Sequence, residues 1–256
     1  LGRLKVSTAD GDLDGDGEHE MIVGYGARSM SIWDDSGSLV FDTGDMVSML
    51  TQNYGEYLNP YTASRNDDKG AEPEGVTTGV YAERTWAFLG LERAGGVMIW
   101  DVTEAGNAHF DQYLTFSEHV SPEGLTFVPG HDSPTNQPLL LVANEVSGTI
   151  AIASPVHQSD DAMSFDDHDD DDCEPLDTGA HLAASCDDQL VVMGDSNVFW
   201  EMTGEYDSGL GEGASEVPVY DASSGRAFVV NAVEGSVDIL DMSCLLYTSP
   251  SPRDQE

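Results

Sequence analysis

The sequence predicts an all-β protein of the β-propeller type, with blades of the YVTN/WD kind and fewer of them than a closed ring needs. Three observations carry that prediction. A Glu cue followed by a strand and a Gly-centred turn into a second strand recurs at Glu74, Glu123 and, in weaker form, Glu216. Overlaid, EGVTTGVY...TWAFLGLERAGGVMIWDV, EGLTFVPG...PLLLVANEVSGTIAIA and SEVPVYDASSGRAFVVNAVEGSVDIL bring Gly95, Gly148 and Gly235 to one position. RSMSIWDDSGSLVF is a partial fourth copy, in which Ser31, Ile32 and Trp33 match Met98, Ile99 and Trp100. Helical periodicity is absent almost everywhere. A unit of this kind cannot bury its apolar faces alone, and radial stacking of such units is how a propeller buries them.

Residues 1 to about 155 read as continuous β structure. EMIVGYG, SMSIWDD, SLVFDTG, GVTTGVY, TWAFLGLE, GVMIWDV, GLTFVPG, PLLLVANE and TIAIAS are short, rich in β-branched and aromatic residues, and separated by turn residues. TQNYGEYLNPYTASRNDDKGAEPEG exceeds an ordinary connection and reads as a functional or channel-lining loop. The acidic block within HQSDDAMSFDDHDDDDCEP cannot pack against itself, so residues 156–180 read as an extended linker. Strands resume across 181–243 with QLVVMGD, VFWEMTG, EVPVYD, RAFVVNA and SVDILDM, so the acidic block divides two pieces of β structure. The chain opens at Leu1 in the middle of a motif and reads as a piece of a longer protein. CLLYTSPSPRD near the other end resembles a translated sequencing adapter, so 244–256 is set aside from the fold. Cys173 and Cys186 then remain, and both a disulfide suited to export and two free thiols are open.

Lys+Arg total 9 against 48 Asp+Glu, a formal net charge of -39. That charge excludes nucleic acid and anionic membrane as natural partners and favours cations. The apolar content of 39% supports a real core, and no apolar run is long enough to span a membrane. The sharpest cation candidate is ADGDLDGDGEHEMIV, with Asp12, Asp14 and Asp16 at alternate positions, then Gly17, Glu18 and Glu20. Calcium takes six to eight oxygen ligands, and alternate carboxylates with a turning glycine, a carbonyl and a further acid can wrap it. The twelfth position of a helical EF-hand would be Val23, inside a strand-like run, so a shorter strand-joining calcium loop fits better. Ca2+ is the expected cofactor, and the bland alternative is an acidic hairpin that binds nothing.

Glu74, Glu123 and Glu216 begin equivalent strands and should face a central channel together. Convergent carboxylates repel unless protonated or bridged by a cation, which makes Glu74, Glu123, Asn144 and Glu145 candidates for a channel metal, with Glu92 nearby. Equally, these acids can accept backbone N–H bonds and space the blades. Arg65 and Lys69, scarce cations just before EPEG, are candidates for anion binding, with internal ion pairs as the alternative. The seven histidines show no zinc-ligand spacing, and Ser29, Ser121 and Ser147 lie in turns without a G-x-S-x-G elbow.

GARSMSIWD, RNDDKGAEPEG, AFLGLERAGGVMIWDV, SPEGLTFVP and PLLLVANEVSGTIAI, in that order over Leu1 to about Pro155, resemble the closing part of the choice-of-anchor I domain. GEYDSGLGEGASEVPVYDASSGRAFVVNAVEGSVDILDMS resembles its opening part, which implies two tandem copies. The resemblance implies a secreted or cell-surface β-propeller-like protein and supplies no catalytic residues. SMSIWDDSGSLVFDTGDMVSML departs from the family in lacking an acid after the Phe-Asp step. The expected function is a calcium-binding binding or adhesion module for an extracellular ligand. The alternative is a metal-dependent phosphoesterase using the channel carboxylates, with Arg65 and Lys69 orienting phosphate.

Overall fold

Runs such as TWAFLGL and LLLVAN are apolar on both faces of the pleat, which suits strands covered from both sides. The computed structural model describes residues 5–24, 28–53, 70–115, 118–157 and 198–244, and the backbone of 173–177, 182–186 and 189–193. Arg65, Lys69, most of the long loop, the acidic block at 158–172 and the tail from 245 lie outside the described residues.

The protein is all-β with antiparallel pairing throughout. In chain order its elements are β1 (Ser31–Trp33), β2 (Leu39–Asp42), α1 (Met46–Asn53), β3 (Pro73–Tyr81), β4 (Arg84–Leu91), β5 (Val97–Asp101) and β6 (His109–Leu114). There follow β7 (Pro122–Val128), β8 (Leu139–Asn144), β9 (Thr149–His157), β10 (Cys173–Asp177), β11 (Leu182–Cys186) and β12 (Gln189–Met193). The last are β13 (Val198–Asp207), β14 (Pro218–Asp221), β15 (Arg226–Asn231) and β16 (Ser236–Asp241). β1 and β2 form a two-stranded sheet, and β3 to β6 a meander that β12, β11 and β10 continue. β7, β8 and β9 form a second meander whose outer strand is β13, and β14 to β16 form the last.

Side-chain alternation decides how these sheets meet. From the first meander, Ala87, Leu89, Met98 and Trp100 form one core with Met30 and with Val47 and Leu50 of α1. Its opposite face sends Trp86, Phe88, Val97 and Ile99 against Leu140, Val142, Ala151, Ala153 and Trp200. The far face of the second meander sends Leu139, Leu141, Ile150 and Ile152 against Ala227, Val229 and Leu240. The two meanders and the β14–β16 sheet therefore stack face to face in chain order.

Their first strands also run side by side. Gly75 of β3 lies against the backbone of Glu123, and Gly124 of β7 against that of Glu216 and Val217. The match of Ser31, Ile32 and Trp33 to Met98, Ile99 and Trp100 extends to register, since a bulge falls between Ile32 and Trp33 and again between Ile99 and Trp100. α1 has no counterpart in the sequence reading. It is short, and it holds on the sheet through Val47 and Leu50, spaced three residues apart on one face.

Candidate functional site

The acidic loop is closed at its base by backbone pairing. Ser7 N–H donates to the Val23 carbonyl at 2.8 Å, and Met21 N–H to the Gly11 carbonyl at 3.1 Å. Gly11 adopts φ 98°, and a Cβ there would collide with the Met21 carbonyl, so only glycine lets the two arms approach. Within the loop, carboxylates cap backbone donors. Asp12 accepts from Gly15 at 2.6 Å and Gly17 at 2.9 Å, and Glu20 accepts from Leu13 at 2.8 Å. Asp14 accepts from Asp16 at 3.2 Å, and Asp16 from Glu18 at 2.8 Å.

That folding brings one carboxylate oxygen each of Asp12, Asp14 and Glu20 within 4.8 Å of one another. Three anions at that spacing repel unless a cation sits among them. Oxygen ligands on a partly exposed loop suit a hard divalent ion of calcium's size better than zinc. Asp16 and Glu18 stand outside the close group.

A second cluster forms where the first strands of the sheets begin. Glu72 and Glu74 enter β3, Glu92 and Arg93 follow β4, Glu123 enters β7, Glu145 follows β8, and Glu216 precedes β14. A similar backbone connection recurs in the two meanders and the last sheet: Glu92 N–H to the Glu72 carbonyl at 2.9 Å, Glu145 N–H to the Ser121 carbonyl at 2.8 Å, and Ala232 N–H to the Gly213 carbonyl at 2.8 Å. Between sheets, the Ser121 hydroxyl donates to the Glu92 carbonyl at 3.1 Å, and Gly213 N–H donates to the Glu145 carbonyl at 2.9 Å.

Arg93 is the cation of this cluster. Its Nε donates to Glu72 at 2.7 Å, and its Nη2 pairs with Glu92. Burial pushes the Glu92 carboxyl up to about 7, helped by its hydrogen bond to Glu74 and the charges of Glu72 and Glu74, with Arg93 opposing. Glu123 is raised by burial and then by the charges of Glu145, Glu74 and Glu216. The glutamates singled out from the sequence thus share one field, while the close triad of ligand atoms among the described residues lies in the Asp loop. Asn144 is buried, with its Nδ2 donating to the Val142 carbonyl at 3.0 Å.

The proton on Glu92 yields a pH prediction. Its folded-state value stands above the ordinary carboxylate value, so the folded protein binds more protons in the interval between. That contribution to stability is complete below the ordinary value of about 4.3 and is lost as pH rises through about 7. Glu92→Gln keeps an oxygen for Arg93 and a donor for Glu74 but cannot ionise. Melting curves across this interval should therefore fall less steeply for the variant than for wild type; parallel slopes would contradict a protonated Glu92.

Residues 1–105 match the choice-of-anchor I domain. The match covers less than half of this chain. The choice-of-anchor I segment contains the Asp loop, Glu72, Glu74, Glu92 and Arg93, whereas Glu123, Glu145 and Glu216 follow it. Gigasin-3a of Magallana gigas is 29% identical over 184 residues, covering 59% of this chain and 63% of that protein. The chain thus spans less than two thirds of that relative. No solved structure matches. Among the described residues, no helix is long and apolar enough to cross a membrane.

One arrangement was not visible in the sequence. Buried His119 places Nδ1 2.8 Å from the Thr149 hydroxyl, which lies 2.7 Å from that of Ser147, while His119 Nε2 lies 3.3 Å from Glu205. Burial holds this imidazole below its usual value, against the pull of Glu205. The chain ties the segment before β7 to the β8–β9 turn and to β13. Contacts among residues 30 and more positions apart leave no spacing to read.

Proposed function

We propose that this chain is a calcium-dependent binding module of a secreted or cell-surface protein, its sheets forming part of a β-propeller. The observation that carries the calcium reading is the convergence of Asp12, Asp14 and Glu20 within 4.8 Å. The charge of -39 makes the protein a natural cation ligand, and scattered carboxylates alone would not need the Gly11–Met21 clamp beneath them. Face-to-face stacking in chain order, with adjacent first strands, supports the propeller reading. Asp16, Glu18 and backbone carbonyls remain available to complete a shell of six to eight oxygens. A divalent ion supplies charge neutralisation there, holding three carboxylates together. The partner is an extracellular ligand, and the propeller surface is where it would be received.

Calcium titration followed by calorimetry and thermal unfolding tests this. At a hundredfold excess over its Kd, the ion should add about 2.7 kcal/mol to folding, and chelator should remove it. Asp14→Asn should abolish the gain with little change in the calcium-free melting temperature. Identical melting with calcium and with chelator, and no binding heat, would sink the reading.

A further inference from the structure

Two cysteines whose pairing the sequence leaves open are brought opposite one another by the fold. In the ladder between β10 and β11, Cys173 is the register partner of Cys186, and four more pairs follow without a shift, ending at Asp177 and Leu182. β11 is also held along its other edge, by five consecutive pairs with β12 that run without a shift. Its register is therefore set from both sides. Pro175 agrees with the placement of β10. Among the described residues β10 is the outermost strand of its sheet, and an edge strand can carry a residue that has no N–H to give.

Register partners on antiparallel strands share a face of the sheet, with Cα atoms about 4.5 or 5.5 Å apart, and both spacings fall within the range of about 4.4–6.8 Å that a disulfide spans. Diagonal neighbours, at about 7–8 Å, lie outside it. The third cysteine, Cys244, is exposed and free, and it follows β16. The Cys173–Cys186 pair also stands where the ladder is weakest. Cys173 opens β10 and Cys186 closes β11, so the two form one end of the ladder, and ladders fray from their ends. Asp169, Asp170, Asp171 and Asp172 come immediately before Cys173, and like charges in a run repel one another. Hydrogen bonds at that end yield to such a pull; a covalent bond does not.

We propose that Cys173 and Cys186 form a disulfide that staples the β10–β11 ladder at the end adjoining the acidic block. The oxidant is itself a disulfide, small or protein-borne, of the oxidising route that secreted proteins take. The thiolate of one cysteine attacks it, forming a mixed disulfide and releasing one thiol, and the second cysteine then displaces the other half. Two protein thiols thereby lose two protons and two electrons, and the oxidant leaves as two thiols. The staple takes from the secreted-protein reading only its compartment: a chain that binds no calcium can still form it, so the two ideas fail separately.

Peptide mapping of the 256-residue chain carrying Cys244→Ser, equilibrated in a buffer of oxidised and reduced glutathione and quenched by alkylation, tests it. Linked Cys173–Cys186 peptide should dominate in the native protein. The ratio of linked to reduced chain should exceed that of the same chain in urea by a factor on the order of a hundred, the gain that goes with closing a loop of about 15 residues. Cys186→Ser combined with Ala184→Cys sets the second thiol opposite Pro175, on the same face and two residues out of register, and should lose that excess. Both thiols open to alkylation in the native protein would overturn the proposal. So would a native ratio no higher than the ratio in urea, or a shifted variant that links as readily as the Cys173–Cys186 pair.

Discussion

Trp200→Ala is expected to cost about 3–5 kcal/mol of folding stability, a large share of what a domain ordinarily has. Trp200 is fully buried in the core between the two meanders. Its ring meets Phe88 edge-on at 4.8 Å and 79°, and Phe127 at 6.2 Å and 61°. Removing it leaves a cavity that neither aromatic neighbour can fill, because strand pairing holds both. β13 is in turn anchored by its ladder to β9 and by Gln112, whose amide receives the Trp200 N–H at 2.9 Å and donates to its carbonyl at 2.7 Å. Collapse around the void is therefore opposed from the backbone as well. The indole Nε1 is buried without a hydrogen-bond partner among the described residues, so Trp200→Phe should lose much less than the alanine variant. Urea midpoints of the two variants check both statements; an alanine variant no less stable than wild type would contradict the packing.

Legibility in the sequence followed how local each feature is. Strands β4, β5, β8 and β9 stood out because burial on both faces leaves continuous apolar runs, and the turns between them carry glycine at matching positions. α1 was missed because two buried apolar residues in a two-turn helix make too short a period to detect. VFWEMTG was legible as a strand, but its ladder to β9 was not, since pairing across the acidic block leaves no trace in spacing. The Asp loop was legible for the opposite reason: its converging carboxylates lie within nine residues. Which acids converge depends on the backbone clamp, so Glu20 joins Asp12 and Asp14 while Glu18 does not. At the second cluster, recurrence pointed to Glu74, Glu123 and Glu216, whereas the pairing of Arg93 with Glu72 and Glu92 emerges only when the β4 turn folds back on the start of β3.

Gly124→Ala is expected to destabilise the protein by about 1–3 kcal/mol, more than an exposed Gly→Ala change can. The backbone at Gly124 is not in the left-handed region, so alanine meets no left-handed strain there. The cost is one of space. A Cβ would fall on the Glu216 carbonyl, with Pro218 Cδ at 2.8 Å and Val217 Cα at 2.9 Å. Those atoms are backbone and a proline ring, which cannot rotate away as a flexible side chain would, so β14 has to retreat from β7. That retreat loosens the Gly213–Glu145 bond between sheets and separates Glu216 from Glu123, whose raised carboxyl owes part of its shift to that neighbour. Gly106 is the control, because a Cβ there meets only Val40 Cγ1, at 3.9 Å. With about 2–4 °C per kcal/mol for a chain of this size, Gly124→Ala should melt several degrees below Gly106→Ala. Its calcium response should be unchanged, because the Asp loop lies on a separate segment closed by its own backbone pairs. Equal melting of the two variants would mean that β7 and β14 do not approach as closely as described, and the shared field of Glu123 and Glu216 would go with that contact.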